Sequence, residues 1–377
     1  MRFVLAALIT GHGLLHLIGP ARAFGWANVA ALWLPASKTA GVMWLVAAGL
    51  FLAAAVMLVV SSPPFPAREW WWIPAVAAVA LSQVLVIASW ADARFGTVPN
   101  LIILIPSLLT MLAALPGSYP SEFRREAAAA TATVAQGSSP AIGEADLVGM
   151  PALVQRYLRA VGVVGRPPVR HFRVTFRGGL RSEPDSAWMP SVALQHTLFN
   201  PSKRVFIVHA SMYGVPFDAL HVFTSEAATM RVKIASMVQV VDARGPEMDR
   251  SETVTFFNDM WLLAPASLVG APILWEPIDS NSVRARFTEA GHTVSATLSF
   301  GPNGLLMNFV SDDRSRSSDG ITYERLRWST PISGWSTIDG RLLPTLAEAR
   351  WTLPSGEFTY ARFELTAMAY NVSGGKD

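Results

Sequence analysis

The first third of the chain and the remainder have different patterns of hydrophobic and polar residues. Long apolar stretches occupy residues 1–116, whereas short alternating segments separated by Gly, Pro and Asn follow residue 169. A long apolar stretch is typical of a membrane-spanning helix, and alternation with a period of two is typical of a half-buried strand. The pattern therefore predicts a transmembrane domain over 1–116, a linker over 117–147 and a soluble β-rich domain over 148–377.

The transmembrane domain is predicted to be a four-helix bundle. A hydrocarbon core of ~30 Å requires about 20 helical residues. The second and third apolar stretches reach that length directly, and the first and fourth reach it with a few flanking residues. A cleaved signal peptide over residues 1–23 is an alternative for the first stretch, but three further stretches would remain. The four stretches cover residues 3–17, 41–60, 71–90 and 101–115.

The alternating segments predict an α+β domain built on one large antiparallel sheet. Eleven such segments lie between residues 170 and 368, and Asn303 with Gly304 marks a hairpin between segments 293–300 and 305–310. One apolar helix is expected over 251–263, with Ser251 as its N-cap. A sheet of this size must hide its edges. We therefore expect it to curl into a half-barrel that encloses the helix.

Composition narrows the class of protein. The chain has 377 residues, of which 51% are hydrophobic and 15% charged, and it contains no cysteine. An apolar excess of this size excludes a disordered chain, and the lack of cysteine excludes disulfides, thiolate zinc sites and thiol catalysis. The net charge of +3 resides in the transmembrane third. The charge therefore does not indicate a nucleic-acid-binding face.

The distribution of basic residues bears on membrane topology. We expect an integral protein of the bacterial cytoplasmic membrane, in which four spans place both chain termini on one side. Lys and Arg near the spans number four on the terminal side and three on the other, so the excess points to cytoplasmic termini without deciding the topology. The two groups are Arg2, Arg68, Arg124 and Arg125, and Arg22, Lys38 and Arg94.

Several polar residues lie within or beside the apolar stretches. His12 and His16 are spaced i,i+4 and therefore share one helical face. At ~1.5 Å per residue, Gln83 lies at the depth of His12 and Ser89 lies near that of His16, with Asp92 just beyond the third stretch. These five residues predict an intramembrane polar seam. Such a seam can fix the bundle through interhelical hydrogen bonds, bind a metal or haem, or handle protons or substrate. Because a third ligand is lacking, we predict no metal.

Two groups of residues in the β-rich domain are candidates for ligand binding. His209 and His221 flank a turn, and pairing about residue 215 would place them opposite each other on one face of the sheet. Such a pair can act as acid and base, or can simply be two hydrogen-bonded histidines on a half-buried sheet. The second group lies in the apolar helix and after a later strand. It consists of Asn258, Asp259, Trp261, Asp312, Asp313 and Arg314.

The carboxylates of the second group allow three interpretations. Arg314 can form a structural ion pair with Asp259, the group can bind the head group of a ligand, or two carboxylates can form a catalytic dyad. Adjacent acids in a strand point to opposite faces, so at most one of Asp312 and Asp313 is expected to share a cavity with Asp259. No phosphate loop, nucleophile elbow, zincin motif or nucleic-acid-binding pattern occurs. We therefore predict no cofactor and no nucleic acid partner, and the oligomeric state and any catalytic residues stay open.

The chain resembles an uncharacterised bacterial family with four transmembrane helices followed by a soluble β-rich domain of unknown function. The resemblance covers nearly the whole chain outside the linker and implies a half-barrel like that of periplasmic lipoprotein carriers. It implies no catalytic residue. The family often has Cys after the letters FNDM, where this chain has Trp261, so a thiol role cannot apply here. The motifs are HGLLHLIG, PASKTAGVMWLVAAGLFLAAA, LSQVLVIASWADARFGT, MPALVQRYLRAVGVVG, FNDMWLLAPASL, ILWEPID, NFVSDDR, RWSTPI and LPSGEFTY.

These patterns favour a membrane-anchored binding module for a hydrophobic, lipid-like ligand. A curled sheet that holds an apolar helix is the form of many carriers of such ligands, although form alone does not establish function. One alternative is an enzyme that acts on a lipid-like substrate through the carboxylates and histidines of the β-rich domain. Another is a scaffold protein of the cell envelope, which would have a filled interior and an exposed apolar patch.

Overall fold

The fold comprises two compact units, each with its own secondary structure. The computed structural model describes residues 2–27, 37–60, 67–132, 134 and 139–372. Contacts divide the chain into Met1–Ser118, which is helical, and Tyr119–Asp377, which is dominated by strands. A helical N-terminal region followed by a large antiparallel sheet is therefore confirmed.

Helices account for most of the first unit. Three helical stretches are long and apolar enough to cross a membrane, namely Arg2–Ala23, Lys38–Val59 and Trp90–Ala132, of which the third continues past Ser118 into the second unit. Trp72–Ala88 is a shorter apolar helix of 17 residues. The count of four spans therefore stays a prediction. The helices of this unit are α1 (Arg2–Leu15), α2 (Ile18–Ala23), α3 (Lys38–Val59), α4 (Ala67–Trp70), α5 (Trp72–Ala88), α6 (Trp90–Ala93) and α7 (Thr97–Ala114).

Thirteen strands form one antiparallel sheet in the second unit, and two short strands pair separately. The order across the sheet is β6-β5-β4-β3-β2-β1-β15-β14-β13-β10-β9-β8-β7, so β6 and β7 are open edges and the sheet is not a closed barrel. The strands are β1 (His171–Leu180), β2 (Met189–Phe199), β3 (Ser202–Met212), β4 (Val215–Thr224), β5 (Ala228–Ile234), β6 (Val238–Arg244), β7 (Ile273–Pro277), β8 (Ser282–Glu289), β9 (His292–Phe300), β10 (Leu306–Ser311), β11 (Ser315–Arg316), β12 (Glu324–Arg325), β13 (Trp328–Ile338), β14 (Arg341–Leu353) and β15 (Gly356–Tyr370).

Alternation of side chains explains why these segments form strands. In β9, Val294, Ala296 and Leu298 are buried and their neighbours are partly exposed, as expected for a strand with one face on the core. The predicted hairpin is confirmed, because Phe300 pairs with Leu306 across β9 and β10. Strands β7 and β13 were not predicted from the pattern.

Part of the expected linker is a helix that belongs to the second unit. Helix α8 (Tyr119–Ala132) packs on strands β2, β3 and β4. Phe123 and Ala127 contact Val205, Ile207 and Leu220 in a buried cluster, so burial of apolar surface holds this segment on the sheet. Residues 133 and 135–138 of the expected linker lie outside the described residues.

Helix α9 (Ala152–Ala160) precedes β1, and one long helix crosses the other face of the sheet. Helix α10 (Pro246–Leu262) contacts β4, β5 and β6 near one edge and β9 near the other. It begins one turn earlier than predicted, because Gly245 with φ +94° precedes Pro246 at the first helical position. Ser251 is therefore inside the helix and is not its N-cap. Phe257 and Trp261 are fully buried and join α10 to the main core.

Candidate functional site

A cavity of about 510 Å³ lies between α10 and the inner face of the sheet, defined here as the face that α10 covers. Its walls come from α10, from β1 to β6 and from β13 to β15. Arg204, Phe206 and Val208 of β3 line it, whereas Val205 and Ile207 point to the opposite face, where α8 packs. The volume is in the usual range for a small-molecule site.

Helix α10 presents a polar stripe to this cavity. The spacing of these polar residues along α10 places them on one helical face. Thr255 donates a hydrogen bond to the backbone oxygen of Ser251, and the Ser251 hydroxyl accepts one from the backbone nitrogen of Ser315 at 3.0 Å. The hydroxyl groups are therefore engaged with the backbone. The stripe consists of Ser251, Glu252, Thr255, Asn258 and Asp259.

A buried ion-pair network joins the stripe to the sheet. Arg204 donates from Nη1 to Glu252 Oε2 at 2.9 Å and from Nε to Asp259 Oδ2 at 2.8 Å. Gln195 Nε2 donates to the same Asp259 oxygen at 2.6 Å. All three charged side chains are at most 9% exposed, so each depends on its partners for solvation.

His221 extends the network into the cavity. Its Nδ1 lies 3.0 Å from Glu252 Oε1, and the ring packs edge-on against Phe206. Since Nδ1–H donates to the carboxylate, Nε2 is the imidazole atom left for a ligand. Among the described residues, no protein group forms a hydrogen bond with that nitrogen.

The two buried carboxylates have different electrostatic environments. Burial alone would raise the pKa of Glu252, but its interactions with His221 and Arg204 outweigh burial and hold the pKa at about 2. Burial raises the pKa of Asp259, and the hydrogen bonds from Arg204 and Gln195 offset only part of that effect. Glu252 is therefore ionised at neutral pH, as the partner of Arg204.

A second cluster, built from Arg314 and aromatic rings, lies on the other wall. The Arg314 guanidinium carbon is 4.4 Å from the Trp328 ring centroid and 5.4 Å from that of Trp351. Arg314 Nη1 donates to the Tyr360 hydroxyl at 2.8 Å, and Trp328 Nε1 donates to the same oxygen at 3.1 Å. These contacts fix the guanidinium at the cavity wall.

The remaining wall is apolar. Val208 and Ala219 are buried in a small cluster on the inner face, and Phe206, Phe217 and Phe363 pack against it. All five residues line the cavity. The cavity thus combines charged groups that are already paired with an extensive hydrophobic surface, which suits an amphiphilic ligand better than a fully polar one.

The structure corrects the predicted pairing of His209 with His221. His209 pairs with Asp218, and His221 pairs with Phe206, because the hairpin turns at Tyr213 and Gly214 with φ of +52° and +82°. The shift in register places the two histidines on opposite faces of the sheet. His209 Nδ1 lies 2.7 Å from Asp218 Oδ1 outside the cavity.

The other predicted residues are distributed between the cavity and its surroundings. Asn258, Asp259 and Arg314 line the cavity, but the partner of Asp259 is Arg204 instead of Arg314. Trp261 lies in the main core and not at the cavity wall, since it projects from the opposite side of α10. Neither Asp312 nor Asp313 lines the cavity.

Asp312 and Asp313 are occupied elsewhere. Asp312 forms an exposed ion pair with Arg327 at 2.8 Å. Asp313 Oδ2 accepts a hydrogen bond from the backbone nitrogen of Ser295 at 2.7 Å. Both follow the end of β10 at Ser311, and the chain turns inward only at Arg314. The catalytic dyad considered for these residues with Asp259 is therefore not assembled.

Sequence reasoning missed Gln195, Arg204 and Glu252. Each is polar at a position where alternation or helical spacing predicts a buried face, and that mismatch was the available signal. A helix that begins after Ser251 would place Glu252 in its first turn, whereas the observed start at Pro246 places Glu252 inside the helix. Arg204 and Gln195 become partners only through strand register, which the pattern did not determine.

The first unit contains a hydrogen-bonded cluster of the predicted kind. His12 Nε2 lies 2.9 Å from Asn100 Oδ1. His16 donates from Nδ1 to the His12 carbonyl at 2.8 Å, and its Nε2 lies 2.8 Å from Ser82 Oγ. Asn100 Nδ2 donates to Gln83 Oε1 at 3.0 Å. The cluster therefore joins α1, α5 and α7.

The members of this cluster differ in part from the predicted seam. His12, His16 and Gln83 take part, and the side chains that contact the two histidines are those of Asn100 and Ser82. In the described part of the chain, no group of three or more His, Asp or Glu side chains is arranged to hold a metal. The geometry matches interhelical hydrogen bonding. Ser82 and Asn100 were missed, although both are polar residues in apolar helices.

Comparison with known proteins identifies a family and two distant structures. Residues 140–363 match the model of a family of unknown function, DUF6544. No match was found among curated protein sequences.

Two solved structures resemble part of the chain. One is a DUF1329 family protein from Desulfovibrio piger, with a TM-score of 0.35 and 12% identity, covering 60% of this chain and 94% of the other. The second is a putative outer membrane lipoprotein-sorting protein domain from Vibrio parahaemolyticus, with a TM-score of 0.31 and 9% identity, covering 55% and 87%. Similarity this low does not bear on function.

Proposed function

The chain belongs to DUF6544, a family of unknown function, and we propose from the geometry of its cavity that it binds a hydrophobic, lipid-like ligand. The observation that carries the proposal is the cavity of about 510 Å³ on the inner face of the sheet. Apolar side chains from several strands form much of its wall, and a few polar groups are held in fixed positions. This combination is typical of small-molecule binding sites.

The contacts of the sheet support a half-barrel around the ligand. Val241 of β6 and Trp328 of β13 both line the cavity, although eight strand spacings separate β6 from β13 in the sheet order. At about 4.8 Å per spacing, a flat sheet would hold these strands roughly 38 Å apart. An open sheet that bends round α10 brings both to one cavity.

The apolar helices support attachment to a membrane. Three helical stretches have the length and composition of membrane spans. We place the protein in the bacterial inner membrane as an integral protein, with the β-rich domain as its binding module. Lipid is then the most abundant hydrophobic ligand available to it.

A second candidate function is an enzyme that acts on the same ligand. His221 favours it, because Glu252 orients the imidazole and its Nε2 is available at the cavity. An imidazole held in this way can serve as a general base. A chemically altered form of the ligand that appears with the wild type and not with His221→Gln would favour this function.

Native mass spectrometry tests the binding function. The full-length protein is isolated from washed inner membranes, transferred to nanodiscs and examined for retained small molecules, with empty nanodiscs as the blank. Ala347→Trp introduces a large ring into the cavity, and Ala145→Trp places the same ring on an exposed position outside it.

We expect the wild type and Ala145→Trp to retain about one hydrophobic molecule per chain and Ala347→Trp to retain much less. Unfolding temperatures of the three proteins show whether each is folded. Equal retention by folded Ala347→Trp and wild type, or no retained molecule in any protein, would contradict the proposal. So would a protein that is missing from the inner-membrane fraction.

A further inference from the structure

We infer that Arg314 binds the negatively charged head group of an amphiphile whose apolar part occupies the cavity. The inference rests on the proposed binding function and specifies the chemistry of the ligand as an oxyanion, such as a carboxylate or phosphate, attached to an apolar chain.

The contacts that hold Arg314 in place do not use the edge of its guanidinium group formed by Nε and Nη2. Trp328 and Trp351 contact its guanidinium group, and Tyr360 accepts a hydrogen bond from Nη1 at 2.8 Å. The Nε atom is buried and has no hydrogen-bond partner. No protein group among the described residues accepts from Nη2 either. The Nε and Nη2 pair is one of the forks that guanidinium offers to a carboxylate or phosphate.

Other arginines at the cavity show what Arg314 lacks. Arg204 forms ion pairs with Glu252 and Asp259, and Arg316 pairs with Glu183 at 2.9 Å. Within the described ranges, no carboxylate lies within 4.0 Å of the Arg314 nitrogens. A buried cationic donor without an acceptor is costly, so a ligand oxyanion that fills this position would be stabilised.

Arg181 adds further positive charge to the same wall. Its guanidinium carbon is 5.3 Å from the Phe358 ring centroid, and Phe358 pairs with Trp351 across β14 and β15. Arg181 donates hydrogen bonds to the backbone oxygens of Thr359 and Pro184, and in the described part of the chain no carboxylate pairs with it. Among the described residues, Arg181 and Arg314 are therefore two cations at the cavity wall that no carboxylate pairs with, which favours an anion over a neutral or cationic head group.

The apolar part of the cavity supplies the second half of the recognition. Phe206, Val208 and Phe363 lie on strands of the inner face and line the same cavity as Arg314. An anion alone would leave this surface exposed, and an alkane alone would leave the Nε–Nη2 fork without an acceptor. A single-chain anionic amphiphile satisfies both.

Matched probes separate the head group from the chain. The full-length protein in nanodiscs of zwitterionic phosphatidylcholine is dialysed against decanoate, decanol, decyl phosphate and inorganic phosphate, with empty nanodiscs as the blank. Arg314→Gln removes the charge and the fork. Arg327→Gln is the matched control, because Arg327 is exposed, pairs with Asp312 and does not line the cavity.

We expect the wild type and Arg327→Gln to bind decanoate and decyl phosphate about 10- to 100-fold more tightly than decanol, as a charge-assisted bidentate contact implies. Arg314→Gln should bind decanoate only as tightly as decanol, with decanol affinity unchanged. Inorganic phosphate should compete far less well than decyl phosphate.

The outcomes distinguish this inference from the binding function on which it rests. Equal affinities of the wild type for decanoate and decanol, or an Arg314→Gln protein that behaves as wild type, would overturn the head-group site and leave the cavity intact. Inorganic phosphate that competes as well as decyl phosphate would show a site for free anions and overturn the amphiphile. Failure of every alkyl probe to bind would overturn the binding function itself.

Discussion

At the scale of single residues, Arg204 connects the helix to the sheet by satisfying two carboxylates at once. Glu252 and Asp259 are two helical turns apart on α10, and Arg204 reaches both from β3. Taking three charges out of water is costly unless every one is paired. The network therefore fixes the position of the polar stripe in the cavity, and losing one member leaves the others unpaired.

Glu252→Gln should lower the free energy of unfolding at neutral pH by roughly 3–5 kcal/mol, because it removes one of the two carboxylates that compensate the buried charge of Arg204. The pKa of Glu252 is lowered from 4.5 to about 2, so the ionised carboxylate stabilises the wild type above pH 4.5. That stabilisation is lost as the pH falls from 4.5 towards 2. Urea unfolding of the full-length protein in nanodiscs, followed by tryptophan fluorescence, measures the difference.

The gap between wild type and Glu252→Gln should therefore narrow between pH 4.5 and pH 2. Glu276→Gln is the control, since Glu276 is half-exposed and its nearest ion-pair distance is 3.5 Å. We expect it to change stability by less than about 0.5 kcal/mol. A gap that stays constant over this pH range would show that Glu252 is not the charged partner of Arg204.

At the same scale, the sequence identified only some of the site. Asp259 and Asn258 were found because polar residues stand out in an apolar helix. Gln195 and Arg204 were not, because an isolated polar residue in a strand reveals no partner. The unpartnered edge of Arg314 depends on how the chain turns after Ser311, which a one-dimensional pattern does not contain.

At the scale of elements, alternation predicted most strands and did not determine their register. A hairpin centred at residue 215, and not between Tyr213 and Gly214, would have brought His209 and His221 together. The observed turn uses Tyr213 and Gly214, both with positive φ, and so moves the two histidines to opposite faces. The conformation of this turn therefore determines that His221, and not His209, faces the cavity.

Helix α8 shows a second limit of the pattern. Its alanine-rich sequence is typical of a tether, but Phe123 is 7% exposed and contacts Val205 and Ile207 on the sheet. The apolar residues that cover the outer face of β3 and β4 could be recognised only once the sheet was known. The helix is consequently part of the core of the second unit.

Phe123→Ala should therefore destabilise the second unit by roughly 3–5 kcal/mol, the usual cost of deleting a buried phenylalanine side chain. Ile321→Ala is the control, because Ile321 is 83% exposed and its truncation should have little effect. Urea unfolding of both variants measures the costs. Equal, small effects would mean that α8 is a tether after all.

At the scale of the whole molecule, apolar helices and a sheet with a cavity occur in one chain. The division into two kinds of unit follows directly from the change in hydrophobic period, which is why it was predictable. The interior was less predictable. Whether a large sheet is filled by its own side chains or leaves room for a ligand depends on packing, which periodicity does not report.

Photo-cross-linking in living cells tests the central claim most directly. A benzophenone-bearing phenylalanine analogue replaces Phe206, which faces the cavity, or Val192, which is 40% exposed and pairs with His209 on the outer face. After irradiation, intact-protein mass spectrometry measures covalent adducts. We expect a hydrophobic small-molecule adduct at position 206 and little or none at position 192. No adduct at position 206, or equal adducts at both positions, would contradict a ligand held inside the sheet.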